Sequence, residues 1–394
     1  MSPRDPIRPT IRHMQRNGIG EVARLGLGQS DVLPLWFGET DLVTPDFIRD
    51  AAKRALDGGR TFYTFTNGIP ELRAAIADFH KRFIDADIAV ERITVPGSAM
   101  LGVKIALDCV VETGDNVVIV APIWPNIFEA ARAAGAETRL YPLHRSGPGG
   151  RWQLDLDGLF ARCDARTKAI FVASPGNPTG WIMSAAEQKA LLDSARQRGI
   201  AIIADEVYGT LVYEGRHAPS FLSIAEENDA VFVINSFSKA WAMTGWRIGW
   251  FVGPKNLFGP LAQLSAVNNT GATTFAQWGA LAAVRDGDGV IKEMVARCAR
   301  GRDIVQRFIE GQNRLSWAKP EGAFYGFIAI EGLTDSIAFA KELLATARVG
   351  VAPGMAFGTP GDPEIEKHIR ICFAQDPKRL ETALGRIGDA LRTI

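Results

Sequence analysis

Short, almost wholly apolar runs alternate with helical stretches through the middle of the chain. VVIVA (117–121), KAIFVA (168–173), IAIIAD (200–205), VFVINS (231–236) and IGWFVG (248–253) are dense in β-branched and apolar residues. They predict strands buried on both faces. SAAEQKALLDSARQRG (184–199) opens on Ser184, carries Glu187 three residues later, keeps apolar positions at helical spacing and ends on Gly199. That is a capping box, a helix and a stop, and it predicts a crossover helix. Strands alternating with such helices predict an α/β fold around a mostly parallel sheet.

From about Val284 the pattern lengthens into charged helices at 289–310, 334–347 and 377–392, interleaved with FYGFIAI and HIRICFA. This mixture predicts a smaller α+β lobe, which the N-terminal arm is expected to join. The expected division is a large domain at 46–284 and a small one built from 1–45 and 285–394. No internal repeat or low-complexity segment interrupts the chain.

Composition changes this picture little. At 394 residues the chain can bury a substantial core, and 44 Lys plus Arg balance 44 Asp plus Glu. No global field favours nucleic acid or an anionic membrane, so partners have to be read from local chemistry. Cys109, Cys163, Cys298 and Cys372 are scattered without metal-ligand or disulfide spacing. No G-x-G-x-x-G loop follows a strand, and no apolar span is long enough to cross a bilayer. The expectation is a cytoplasmic protein without metal, nucleic-acid or membrane partners.

Parallel α/β sheets bind ligands outside the C-terminal ends of their strands, and several polar residues fall there. Asn177 lies in SPGNPTG, Asp205 closes its strand, and Ser236, Ser238 and Lys239 follow theirs, with Arg247 eight residues beyond the lysine. Each has an ordinary explanation. Asn177 suits a turn, Asp205 a helix cap, Trp124 a core contact, and the two cations a wet surface. Together they supply an amine, a cation with hydroxyls, an acid and a flat aromatic. Pyridoxal phosphate requires those four kinds of group.

SFSKAWAMTGWRIG (236–249) resembles the lysine-attachment motif of the class I/II aminotransferases, the fold type I enzymes dependent on pyridoxal phosphate. YTFTNGIPELRAAIA, PGSAM, APIWPN, SPGNPTG, ADEVY, PEGAFY and RICFA follow in the family's order, so the resemblance spans nearly the whole chain and points in particular to the aspartate aminotransferase group. It implies that Lys239 carries the cofactor as a Schiff base and moves the substrate's proton, and that Arg247 pairs with the phosphate. Gly97, Ser98 and Ala99 would cradle that phosphate at a helix start, with hydroxyls from Ser236 and Ser238. Asp205 would face the pyridine nitrogen, Asn177 and Tyr208 the phenolic oxygen, and Trp124 would stack on the ring.

The same resemblance implies that Tyr63 reaches the phosphate of a neighbouring subunit, which makes the expected assembly a homodimer with composite sites. Arg370 would grip the substrate α-carboxylate, with Gly38, Trp124 and Asn177 beside it. The implied reaction is ping-pong transfer of an amino group between an L-amino acid and a 2-oxo acid. β-Elimination on the same scaffold and a non-catalytic cofactor-binding module are the alternatives. Thr40 and Gly271 stand where relatives often have proline. The distal side-chain pocket stays open: Arg12, Arg16 and Lys104 are candidates for a second carboxylate, and Trp36, Phe37 and Trp181 for an apolar wall.

Overall fold

The computed structural model describes residues 6–15, 17–147, 149–359 and 361–392. Seven strands form the main sheet, in the spatial order Ile93–Thr94, Gly249–Val252, Val231–Ser236, Ala201–Asp205, Thr167–Ala173, Asn116–Ala121 and Glu137–Pro142. The last five run parallel to one another. Alternate residues feed two cores: Val118, Ile170, Ile202 and Val233 pack on one face, and Ile119, Phe171, Ile203 and Phe232 on the other. Both faces are therefore covered, which is why these strands read as continuous apolar runs rather than alternating ones.

One expected strand runs the other way. Gly249–Val252 is antiparallel to both its neighbours. Only the short helix Phe237–Ala240 and the turn Thr244–Trp246 join it to Val231–Ser236. Without a crossover helix to carry the chain back along the sheet, the strand returns in the opposite sense.

The helix Ala185–Arg198 starts with the expected reciprocal cap. Glu187 N donates to Ser184 Oγ at 3.2 Å and Ser184 N to Glu187 Oε2 at 2.7 Å, and Gly199 ends the helix at φ 64°. A second sheet, antiparallel, orders Leu315–Trp317, Tyr325–Ile330, His368–Cys372 and Ala352–Pro353. Against it lie the helices Asp288–Glu310, Ser336–Ala347 and Pro377–Leu391. The middle one starts two residues later than expected, because the Asp335 side chain accepts from Ala338 N at 2.9 Å and sets the boundary.

The N-terminal segment reaches this second region. Leu33–Pro34 pairs parallel with Val349–Gly350, and Leu35 N donates to Gly350 O at 2.7 Å. Trp36 to Gly38 are thereby carried to the gap between the two sheets. Among the described residues no helix is long and apolar enough to cross a membrane.

Candidate active site

Parallel pairing aligns the strand ends, with Ala173 opposite Asp205 and Asp205 opposite Ile234. Beyond those ends lies a cavity of about 370 Å³ whose wall includes Lys239, Asp205, Asn177, Tyr208, Trp124, Ser236, Ser238, Arg247, Arg370, Gly38 and Ala99. Most of the residues singled out in the sequence thus converge on one space, although they are spread along the chain from Gly38 to Arg370.

Lys239 sits on the helical turn Phe237–Ala240, which Ser236 caps by accepting from Ser238 N at 3.1 Å. Its Nζ donates to Gly38 O at 2.5 Å. The accessible surface of Lys239 faces the cavity rather than bulk water. Burial is the main cause that brings its pKa from 10.5 down to about 8, and the nearby Arg370 adds repulsion. Asp205 moves the other way, up to about 6, again through burial, opposed by the Val207 N–H and by Lys239. Its Oδ1 accepts from Val207 N at 3.2 Å, so it braces its own turn while lining the cavity.

Arg370, on the strand His368–Cys372, is 2% exposed. Its Nη1 donates to Asn177 Oδ1 at 2.9 Å and its Nη2 to Trp36 O. The guanidinium lies 4.5 Å from the Tyr325 ring centre and 4.9 Å from that of Phe357. Its Nε has no partner among the described residues. Tyr208 and Tyr325 share a hydrogen bond of 2.6 Å, and burial raises the pKa of both phenols.

Gly249 brings a helix start close to the site. A Cβ there would come within 2.7 Å of Ala99 N, the first residue of the helix Ala99–Val110. Ser98 caps that helix, its Oγ accepting from Leu101 N at 3.1 Å. Ala99 and Met100 line the cavity, while Gly97 and Ser98 lie behind them. Arg247 takes a left-handed backbone (φ 52°) and donates Nη1 to Thr244 O at 2.7 Å. An amine, a carboxylate, a guanidinium, hydroxyls and the N–H groups of a helix start make a donor set that fits a phosphorylated, nitrogen-containing aldehyde.

Tyr63 is not part of this cavity and is 92% exposed. Of the residues weighed for the distal pocket, Phe37 lines it, while Trp36 and Trp181 are buried away from it. Arg12 and Lys104 are not on the lining, Lys104 being paired with Asp108, and Arg16 lies outside the described residues. The structure adds Asn17, Ile19, Met100, Val103, Asn126 and Tyr325, of which Met100 in PGSAM, Asn126 in APIWPN and Tyr325 in PEGAFY lay in recognisable motifs without having been singled out.

The sequence matches the family described as Aminotransferase class I and II over residues 30–387. It is 35% identical over 382 residues to an aspartate aminotransferase of Pyrococcus horikoshii, covering 96% of this chain and 95% of that one. It is 34% identical over 371 residues to a probable aspartate/prephenate aminotransferase of Aquifex aeolicus, covering 92% of each. A solved structure of a Thermus thermophilus aspartate aminotransferase mutant superposes with a TM-score of 0.89 at 29% identity, covering 98% of this chain and 99% of that one. The chain therefore belongs to the class I and II aminotransferases, enzymes dependent on pyridoxal phosphate, and is a transaminase that moves an amino group between an L-amino acid and a 2-oxo acid.

Proposed function

We propose that the cavity binds pyridoxal phosphate on Lys239 and runs both halves of a ping-pong transamination there. The observation that carries this reading is the presence of a partly buried lysine, a partly buried aspartate and a buried arginine on one small cavity. When bound, the cofactor supplies an aldehyde for the amino group and a cationic ring that draws electron density from the substrate Cα.

Lys239 would hold the cofactor and, once free, would carry the proton from the substrate Cα to the cofactor's C4′, and in the reverse half from C4′ back to the Cα of the second substrate. With a pKa of about 8, roughly a tenth of its amine is neutral at pH 7 and available as a base. Asp205, at about 6, is ionised at neutral pH and keeps the ring nitrogen protonated. Asn177 and Tyr208 orient the ring oxygen, and Trp124 stacks on the ring. Arg247, Ser236, Ser238 and the Gly97–Ser98–Ala99 helix start hold the phosphate. Arg370 receives the α-carboxylate of either substrate, aided by Gly38, Trp124 and Asn177.

The same reading includes a homodimer in which Tyr63 completes the partner's phosphate site. Phe62, Tyr63, Phe65 and Val267 are 82%, 92%, 61% and 78% exposed, a concentration of apolar surface that supports a covering partner. It also includes the division into a domain at 46–284 and one at 1–45 with 285–394, supported by the pairing of Leu33–Pro34 with Val349–Gly350. A cytoplasmic setting is proposed on the sequence grounds already given.

Borohydride reduction of the loaded enzyme followed by peptide mapping tests the central assignment. Label on the Lys239 peptide is expected. Label on another lysine, or pyruvate and ammonia released from cystathionine without an oxo-acid acceptor, would overturn it.

A further inference from the structure

The active-site cavity does not end blind. Asn17, Met100 and Asn126 belong to its wall and also to the wall of a second cavity of about 670 Å³. Asn17 Nδ2 donates to Asn126 Oδ1 at 3.3 Å, while Asn17 Oδ1 accepts from Ile19 N at 2.9 Å to cap the helix Gly18–Ala23. One long amide–amide hydrogen bond thus spans the shared boundary, and it is a weak closure.

Beyond it the surroundings turn apolar. Met14, Phe128, Leu140 and Met355 line the second cavity beside the small Ala130 and Ala133. Its two charged side chains among the described residues, Arg132 and Glu129, pair with one another at 2.8 Å.

Size argues for the connection. A volume of about 370 Å³ is near the lower end of the range for small-molecule sites, roughly 300–1,000 Å³, yet this cavity is to hold a cofactor and an amino acid together. Its lining cations among the described residues, Lys239, Arg247 and Arg370, all have assigned partners. Apart from Asn17, Asn126 and Tyr325, the unassigned wall is apolar, with Ile19, Phe37, Met100 and Val103 among its larger side chains.

We propose that the second cavity is an annex for the substrate side chain, entered between Asn17 and Asn126, and that the preferred substrates are L-amino acids with long or bulky uncharged side chains. This rests on the transaminase reading with Arg370 on the α-carboxylate. Methionine side chains are unbranched and polarisable, so a wall of them accepts varied apolar shapes and selects for length rather than for one outline. A distal carboxylate in the annex would leave water for a place whose cation is already neutralised, which disfavours aspartate and glutamate.

Single-turnover absorbance changes of the cofactor-loaded enzyme test this with alanine, 2-aminobutyrate, norvaline, norleucine and 2-aminoheptanoate, and with aspartate and glutamate. Each further methylene buried should raise the second-order rate about three- to fourfold, so norleucine should exceed alanine by more than about tenfold. Aspartate should fall below norleucine. Ala133→Phe and, separately, Met355→Trp fill the annex and should cut the norleucine-to-alanine ratio by about tenfold. A flat or falling series in the unmodified chain, aspartate in the lead, or a ratio unmoved in both folded variants overturns the annex while leaving the transaminase reading intact. No absorbance change with any amino acid, together with no borohydride label on Lys239, takes down both.

Discussion

Arg370, on a strand of the second sheet, and Asn177, in the turn beyond Thr167–Ala173 of the main sheet, meet in the cavity, with the arginine Nη1 donating to the asparagine Oδ1 at 2.9 Å. The guanidinium is fixed before any substrate arrives, because Trp36 O holds its other terminal nitrogen. In the role proposed for Arg370, a carboxylate therefore meets a guanidinium that is already held in place.

Arg370→Lys keeps the charge and loses the planar fork. Charge-assisted hydrogen bonds contribute about 1.5–3 kcal/mol each, so the KM values for the amino donor and the oxo acid should both rise about ten- to a hundredfold. Cofactor content should stay intact. Arg247→Lys should instead weaken cofactor retention, measured as absorbance lost on dialysis. The opposite pattern would exchange the two assignments.

Asp205 opposes stability where it serves chemistry. Its folded pKa of about 6 lies above the 3.8 of an ordinary aspartate, so the fold takes up the proton more readily than the unfolded chain does. The resulting penalty is fully present above about pH 6 and fades as the pH falls towards 4. Cofactor-free Asp205→Asn should thus be more stable than the parent by about 2–3 kcal/mol at pH 7, with the gap closing near pH 4. Denaturant titrations at both pH values measure this. Turnover of the loaded variant should drop by about a hundredfold or more, since a neutral amide no longer holds the ring proton.

Gly38→Ala tests a close approach. A Cβ there would overlap the Tyr325 hydroxyl and come within 2.9 Å of Tyr325 Cζ, while the carbonyl of the same residue accepts from Lys239. Overpacking of this kind costs about 1–3 kcal/mol, and the displaced carbonyl should change how Lys239 titrates. The expected outcome is a lower Tm together with a shifted pH–rate profile. A lower Tm with an unchanged profile would mean that the carbonyl does not set the lysine.

Ser184→Ala removes the capping box far from the cavity. A loss of about 1 kcal/mol in unfolding free energy is expected, with turnover unchanged. Loss of activity at the assay temperature without loss of stability would contradict the separation between this helix end and the site.

The parallel strands were readable in the sequence because burial on both faces forces unbroken apolar runs, and Ala185–Arg198 because its cap is written in side chains. The reversal of Gly249–Val252 was not, since strand direction depends on what the connection can span rather than on the strand's own residues. Lys239, Asp205, Asn177 and Arg370 stood out through motif and strand-end position. The pairing of Asn17 with Asn126 did not, although Asn126 lies in APIWPN, because an amide at a helix start looks like any other cap until folding brings two of them together across 109 positions. Tyr63 stood out by motif as well, yet it stays apart from the cavity within this chain.

Trp36 O receives Arg370 and, two residues on, Gly38 O receives Lys239. One tripeptide thus holds both the guanidinium proposed to receive the carboxylate and the lysine proposed to carry the proton. Its divergence is constrained as a pair of linked settings: a backbone change that retunes one shifts the other, so substitutions at 36–38 should show strong epistasis with changes at 239 and 370. New specificities should accumulate elsewhere on the wall, where a side chain can drift without disturbing that shared rest.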